Sequence, residues 1–151
     1  MFVRPHRALL ILLRVCGAGL LAAMAGIHVY LWLHGYRGVA TIGALFLLNG
    51  VGGGVLTLAV LGSPGRFLGV VSALSAVFTA GTLGALVLSV TVGLLGFQES
   101  MSAPLAPTSL IVESAGVLVL GALAALSIGA ENSNGSGRHQ PRTRSVPSAG
   151  G

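Results

Sequence analysis

The chain has no lysine, a single cysteine and only 3 acidic residues among 151. Charged side chains make up 7% of it, against about 25% in an ordinary soluble domain. One cysteine, Cys16, excludes an internal disulfide and any paired-thiol redox chemistry. The preceding Arg14 and Val15 do not form a lipoprotein attachment signal, so Cys16 is expected to be a buried packing thiol. The motif inventory is equally thin. There is no C-x-x-C, H-E-x-x-H, G-x-S-x-G or P-loop, and no run of aspartates for metal-dependent phosphotransfer. No catalytic residue, metal ligand or cofactor is assigned, and the sequence reads as non-enzymatic.

What is present is apolar: 54% of the residues are hydrophobic, in blocks too long for a soluble core. Four runs stand out, at about residues 15–33, 41–61, 67–96 and 110–129. A membrane-crossing helix needs ~20 apolar residues at ~1.5 Å rise each. The sequence therefore predicts an all-α fold, a four-helix transmembrane bundle over residues 15–129. The third run is longer than required, so it tilts or leaves its Gly93–Gly96 end in the interface. Residues 1–14 form a basic leader. Residues 130–151, polar and rich in Gly, Ser and Pro, read as a disordered basic tail. The leader followed by Ala23-Met24-Ala25 also fits a cleaved signal peptide. The apolar run continues to Leu33, however, which favours an uncut anchor.

The arginines give an orientation. Arg4, Arg7 and Arg14 precede the first run, Arg66 lies between the second and third, and Arg138, Arg142 and Arg144 follow the fourth. Basic residues beside a span stay on the cytoplasmic side, so both termini are expected in the cytoplasm of a plasma-membrane protein. Only Arg37 breaks the rule. The net charge of +5 thus reports topology rather than a nucleic-acid partner. Tail arginines near anionic lipid gain about 1 kcal/mol each. The expected partner is the lipid bilayer.

Small residues offer faces for close helix packing. Candidates are Gly50 and Gly54 in the second helix, Ala76, Ala80 and Gly84 in the third, and Gly121 and Ala125 in the fourth. They suit packing within the bundle, or docking of a second copy or another membrane subunit.

The remaining polar groups gather toward one membrane face. With the first helix running outward and the fourth inward, depth alone lets His28, Arg37, Asn49, Glu99 and Glu113 converge near the outer leaflet. Glu113 is the one acid inside a span, where an ion at mid-bilayer costs ~2.5–3.5 kcal/mol. A structural pair with Arg37 or His28 is expected; a proton-relay or ligand-binding role is the alternative. His28 and His34 point about 240° apart on a helix, so they cannot share one metal. His34, Tyr36 and Trp32 read as an interfacial aromatic belt.

The stretch His28–Asn49, HVYLWLHGYRGVATIGALFLLN, with GLLGFQES at 93–100, resembles small four-span membrane proteins of high-GC Gram-positive bacteria. The resemblance covers residues 15 to about 129. It implies a fold and a membrane location, and carries no activity or site residues with it. The function expected from the sequence is an accessory or assembly component of a membrane complex. The alternative is a small proton-coupled transporter or ligand-binding membrane protein. A redox enzyme subunit has the least support.

Overall fold

The computed structural model describes residues 5–136. They form four long helices: α1 Pro5–His34, α2 Ile42–Gly62, α3 Gly65–Thr91 and α4 Ala106–Ser136, with a short 3-10 turn, η1, at Tyr36–Gly38. Each helix contains a stretch long and apolar enough to cross a membrane: Arg7–His34, Ile42–Gly62, Gly65–Thr91 and Ala106–Ala130. The four-helix transmembrane architecture expected from the sequence is the one observed.

The boundaries move in ways the local chemistry explains. The first helix begins at Pro5, ten residues before the apolar run. Proline suits a first helical position because its missing N–H needs no partner there. The leader is thus largely helical rather than a separate segment. At the other end α4 continues to Ser136, so the first part of the expected tail is helix; the rest of that tail lies outside the described residues. The third helix stops at Thr91, because Gly93 (φ 86), Leu95 (φ 52) and Gly96 (φ 79) are all left-handed. Leu94 and Phe97 exchange backbone hydrogen bonds of 2.7 and 2.9 Å across Leu95-Gly96. Two positive central φ angles make this a type I′ turn, which folds the chain back over the end of α3.

Consecutive helices are antiparallel. Arg14, early in α1, bonds the end of α2, while His28, late in α1, meets Phe46 near the start of α2. A Cβ on Gly69, at the start of α3, would meet Ile128 late in α4. The most extensive pairings are α1 with α2 and α3 with α4; α1 and α4 join the two pairs, and α2 touches α3 little. The bundle therefore has an Arg14 end and a Tyr36 end, with a gap between α2 and α3.

The outside of the bundle is greasier than the inside. Leu58, Val77, Val92 and Leu118 are all at least 72% exposed. The buried seam of α3 is instead Leu68, Gly69, Ser72, Ser75, Thr79, Thr82 and Ser89. That arrangement follows from the solvent. Lipid supplies no hydrophobic force between helices, so close approach of small residues does the holding. The hydroxyls are accommodated locally: Ser75 Oγ donates to Val71 O (2.8 Å) and Thr79 Oγ1 to Ser75 O (2.9 Å). Toward the Arg14 end the interior is apolar, with Ala18, Leu21, Met24, Val60, Leu68, Leu120 and Leu123 in one cluster.

Some of the small residues expected to pack make contact and others do not. Gly50 does: a Cβ there would sit 2.5 Å from Val29 Cγ2. Ala76 packs at the edge of the apolar cluster. Gly54, Gly84 and Gly121 would meet nothing within 4 Å, and Ala80 and Ala125 are exposed. The seam follows a spacing of three and four residues in alternation, as left-handed helix pairs do, and strict four-residue spacing drifts off it. Cys16 is also exposed, on the outer side of α1, rather than buried.

Arg14 has a structural task the topology rule did not reveal. Its Nε donates to Val60 O, and its Nη2 to Leu61 O and Ser63 O, each at 2.7 Å. The last carbonyls of a helix lack partners within the helix and carry its negative dipole end. A guanidinium satisfies both conditions at once.

Candidate functional site

A cavity of about 350 Å³ lies between α2 and α3 near the Tyr36 end. It is lined chiefly by apolar side chains, including Phe46, Phe78, Leu86 and Phe97, and its few polar groups are contributed by different elements. His28, Asn49, Glu99 and Glu113, four of the five polar residues singled out from the sequence, all line it.

His28 and Glu113 form the side facing α1 and α4. His28 is 7% exposed and Glu113 1%. The ring Nδ1 of His28 lies 2.9 Å from Met24 O. A carbonyl only accepts, so Nδ1 carries the proton and Nε2 faces the acid. Nε2 stands 3.9 Å from Glu113 Oε1, the one acid–base pair within 4 Å among the described residues. That separation is too long for a direct hydrogen bond. Glu113 Oε2 is buried with no hydrogen-bond partner. Burying an acid among apolar groups without satisfying it is costly, so the carboxyl is not explained by packing.

Arg37 does not join this group. It is exposed and does not line the cavity, so the expected Arg37–Glu113 pair is absent. The reason is the turn. Tyr36–Gly38 packs its backbone onto α2, where a Cβ on Gly43 would sit 2.5 Å from Tyr36 O and 3.0 Å from Arg37 Cα. Only glycine permits that approach, and it leaves the Arg37 side chain outside. Tyr36 turns inward instead of continuing the aromatic belt. Its ring stacks on Phe46 at 4.4 Å and meets Phe97 edge-on at 5.8 Å.

The two loops at this end are tied together there. The Tyr36 hydroxyl donates to Glu99 Oε2, and Glu99 N donates to Ser89 O at 3.1 Å. Burial first, and then the Glu99 carboxylate, push the Tyr36 phenol well above its usual range. The neutral phenol is thus the form that closes the cavity's end.

On the α2–α3 side, Thr82 Oγ1 lies 3.2 Å from Asn49 Oδ1 and 3.1 Å from Phe78 O. One hydroxyl proton serves one of these at a time. The Asn49 amide nitrogen has no protein partner among the described residues. Sequence reasoning missed Tyr36, Phe46, Phe97 and Thr82 as parts of this site. Phe46 lies on the same helix face as Asn49, three residues on, but aromatic and hydroxyl side chains in apolar runs give no separate signal. Among the described residues, no group of three His, Cys, Asp or Glu is placed to hold a metal ion.

No family model matches this chain, and neither a curated protein nor a solved structure matches it.

Proposed function

We propose that this is an integral membrane protein that binds a small, largely apolar molecule in the cavity between α2 and α3. The observation that carries the reading is Glu113 Oε2, a buried carboxyl oxygen without a protein partner at a 350 Å³ cavity. Ligand pockets have this character: apolar walls with a few convergent polar groups. Following the arginine asymmetry, the Tyr36 end lies toward the outer face of the plasma membrane and both termini in the cytoplasm. The kinship with small four-span proteins of high-GC Gram-positive bacteria is proposed on the same footing, from residues 28–49. The reading is non-enzymatic.

A small phenyl-diazirine photoprobe tests it. Saturable labelling at Phe46 and Phe78 is expected, lost when Ala85→Trp fills the cavity. Unsaturable labelling spread over lipid-facing Leu58 and Val92 alone would contradict it.

A role as an accessory component of a membrane complex is the second reading. It draws on the outer faces around Gly54, Gly84 and Gly121, which are open to a partner helix. Co-purification of a stoichiometric subunit in mild detergent would support it; a monodisperse single chain from native membranes would count against it.

A further inference from the structure

We propose that the cavity takes a lipophilic organic cation, and that its entry releases the proton held jointly by His28 and Glu113. This rests on the ligand-binding reading above and names the class of ligand.

Charge selects the class. The titratable groups facing the cavity are His28 from α1, Tyr36 from η1, Glu99 from the loop after α3 and Glu113 from α4; α2 and α3 contribute none. Among the described residues, acids outnumber bases there and no arginine lines the cavity. Glu113 Oε2 lacks a partner, which a cation would supply. The rings of Tyr36, Phe46, Phe78 and Phe97 also line it, and ring faces attract cations more strongly than neutral groups.

The Glu99 carboxylate at the cavity's end is already bonded to the Tyr36 hydroxyl and Ser100 N, so charge balance at the buried His28–Glu113 pair calls for proton release. His28 Nδ1 keeps its proton for Met24 O. Because a bare carboxylate buried without a partner is costly, the empty site retains one further proton, on His28 Nε2 or on the Glu113 carboxyl, and in both cases the pair is neutral. A cation added to a neutral buried pair leaves an uncompensated charge among apolar side chains, which is strongly unfavourable. If that proton leaves to solvent, the site holds a carboxylate, a neutral imidazole and the cation, and is neutral again. A permanent cation therefore displaces about one proton, and its affinity rises about tenfold per pH unit wherever the empty pair holds that proton. Val77 lines the cavity and is 72% exposed toward lipid, so a ligand dissolved in the bilayer has a way in between α2 and α3.

The test is isothermal titration of the full chain in dodecyl maltoside with benzyltrimethylammonium, against its neutral carbon isostere neopentylbenzene. Empty micelles serve as blanks, and two buffers of different ionisation enthalpy count protons. Expected are tighter binding of the cation than of the isostere, about one proton released, and loss of both the proton release and the cation's advantage in Glu113→Gln. If the isostere binds as well as the cation with no proton released, the cation proposal fails and the ligand-binding reading survives. If neither binds, both fail. The wild-type comparison needs no variant, so the result stands even if Glu113→Gln does not fold.

Discussion

His28 Nε2 and Glu113 Oε1 face each other at 3.9 Å across the α1–α4 contact, each almost wholly buried. The pair is loose, and the second carboxyl oxygen has no partner at all. A pair built for stability would be closed and fully hydrogen-bonded, and breaking it would cost about 3–5 kcal/mol. Glu113→Gln keeps the volume and removes the charge. It is expected to change bundle stability by less than about 1 kcal/mol, measured by reversible unfolding in mixed micelles. A loss above about 3 kcal/mol would assign Glu113 to structure.

Arg14 is expected to matter more to the fold than Glu113. Its three bonds to Val60 O, Leu61 O and Ser63 O fasten α1 to the end of α2. Arg14→Ala should lose about 2–4 kcal/mol in the same assay. Arg14→Lys should recover less than half, because an ammonium lacks the planar fork that reaches several carbonyls. Equal stability of Arg14→Ala and wild type would reduce Arg14 to a marker of topology.

The turn after α3 carries a removable strain. Leu95 holds φ 52 and is 67% exposed, so its side chain gains little that offsets a left-handed backbone. Leu95→Asn suits the first central position of a type I′ turn and should stabilise by about 0.5–1 kcal/mol. Gly96→Ala, at φ 79, should destabilise by about 1 kcal/mol. Thermal unfolding of the two variants checks both signs.

Tyr36 gives the site's closed end a pH dependence. Burial, reinforced by Glu99, raises the phenol's pKa in the folded protein. The neutral phenol is therefore favoured by folding. Its contribution is fully present below the ordinary phenol pKa of about 10 and is lost as pH rises beyond it. Wild-type stability should fall faster than that of Tyr36→Phe above about pH 10. Parallel curves would remove Tyr36 from the closure.

Much of this is legible in the sequence. Four spans follow from run length, and the shared depth of His28, Asn49, Glu99 and Glu113 follows from their distance to the helix ends. What escaped is lateral. Hydropathy does not say which face of a helix meets which neighbour, so the Ser75–Thr79–Thr82 part of the α3 seam hid behind the more familiar Ala76–Ala80–Gly84 stripe. Arg37 was placed at the right depth and on the wrong side, because the Gly43 contact that turns its side chain out is a property of two packed backbones. Arg14 reads in the sequence as a basic flank, and its bonds to α2 depend on a helix pairing that composition does not encode.

The most direct measurement is carboxyl labelling from within the lipid. Dicyclohexylcarbodiimide partitions into membranes and adds to protonated carboxyls, and peptide mass spectrometry locates the adduct. Glu113 should be modified in wild type and protected when Ala85→Trp fills the cavity. Modification confined to Glu99, or equal modification of Glu113 in the filled variant, would contradict a buried acid that faces a ligand cavity.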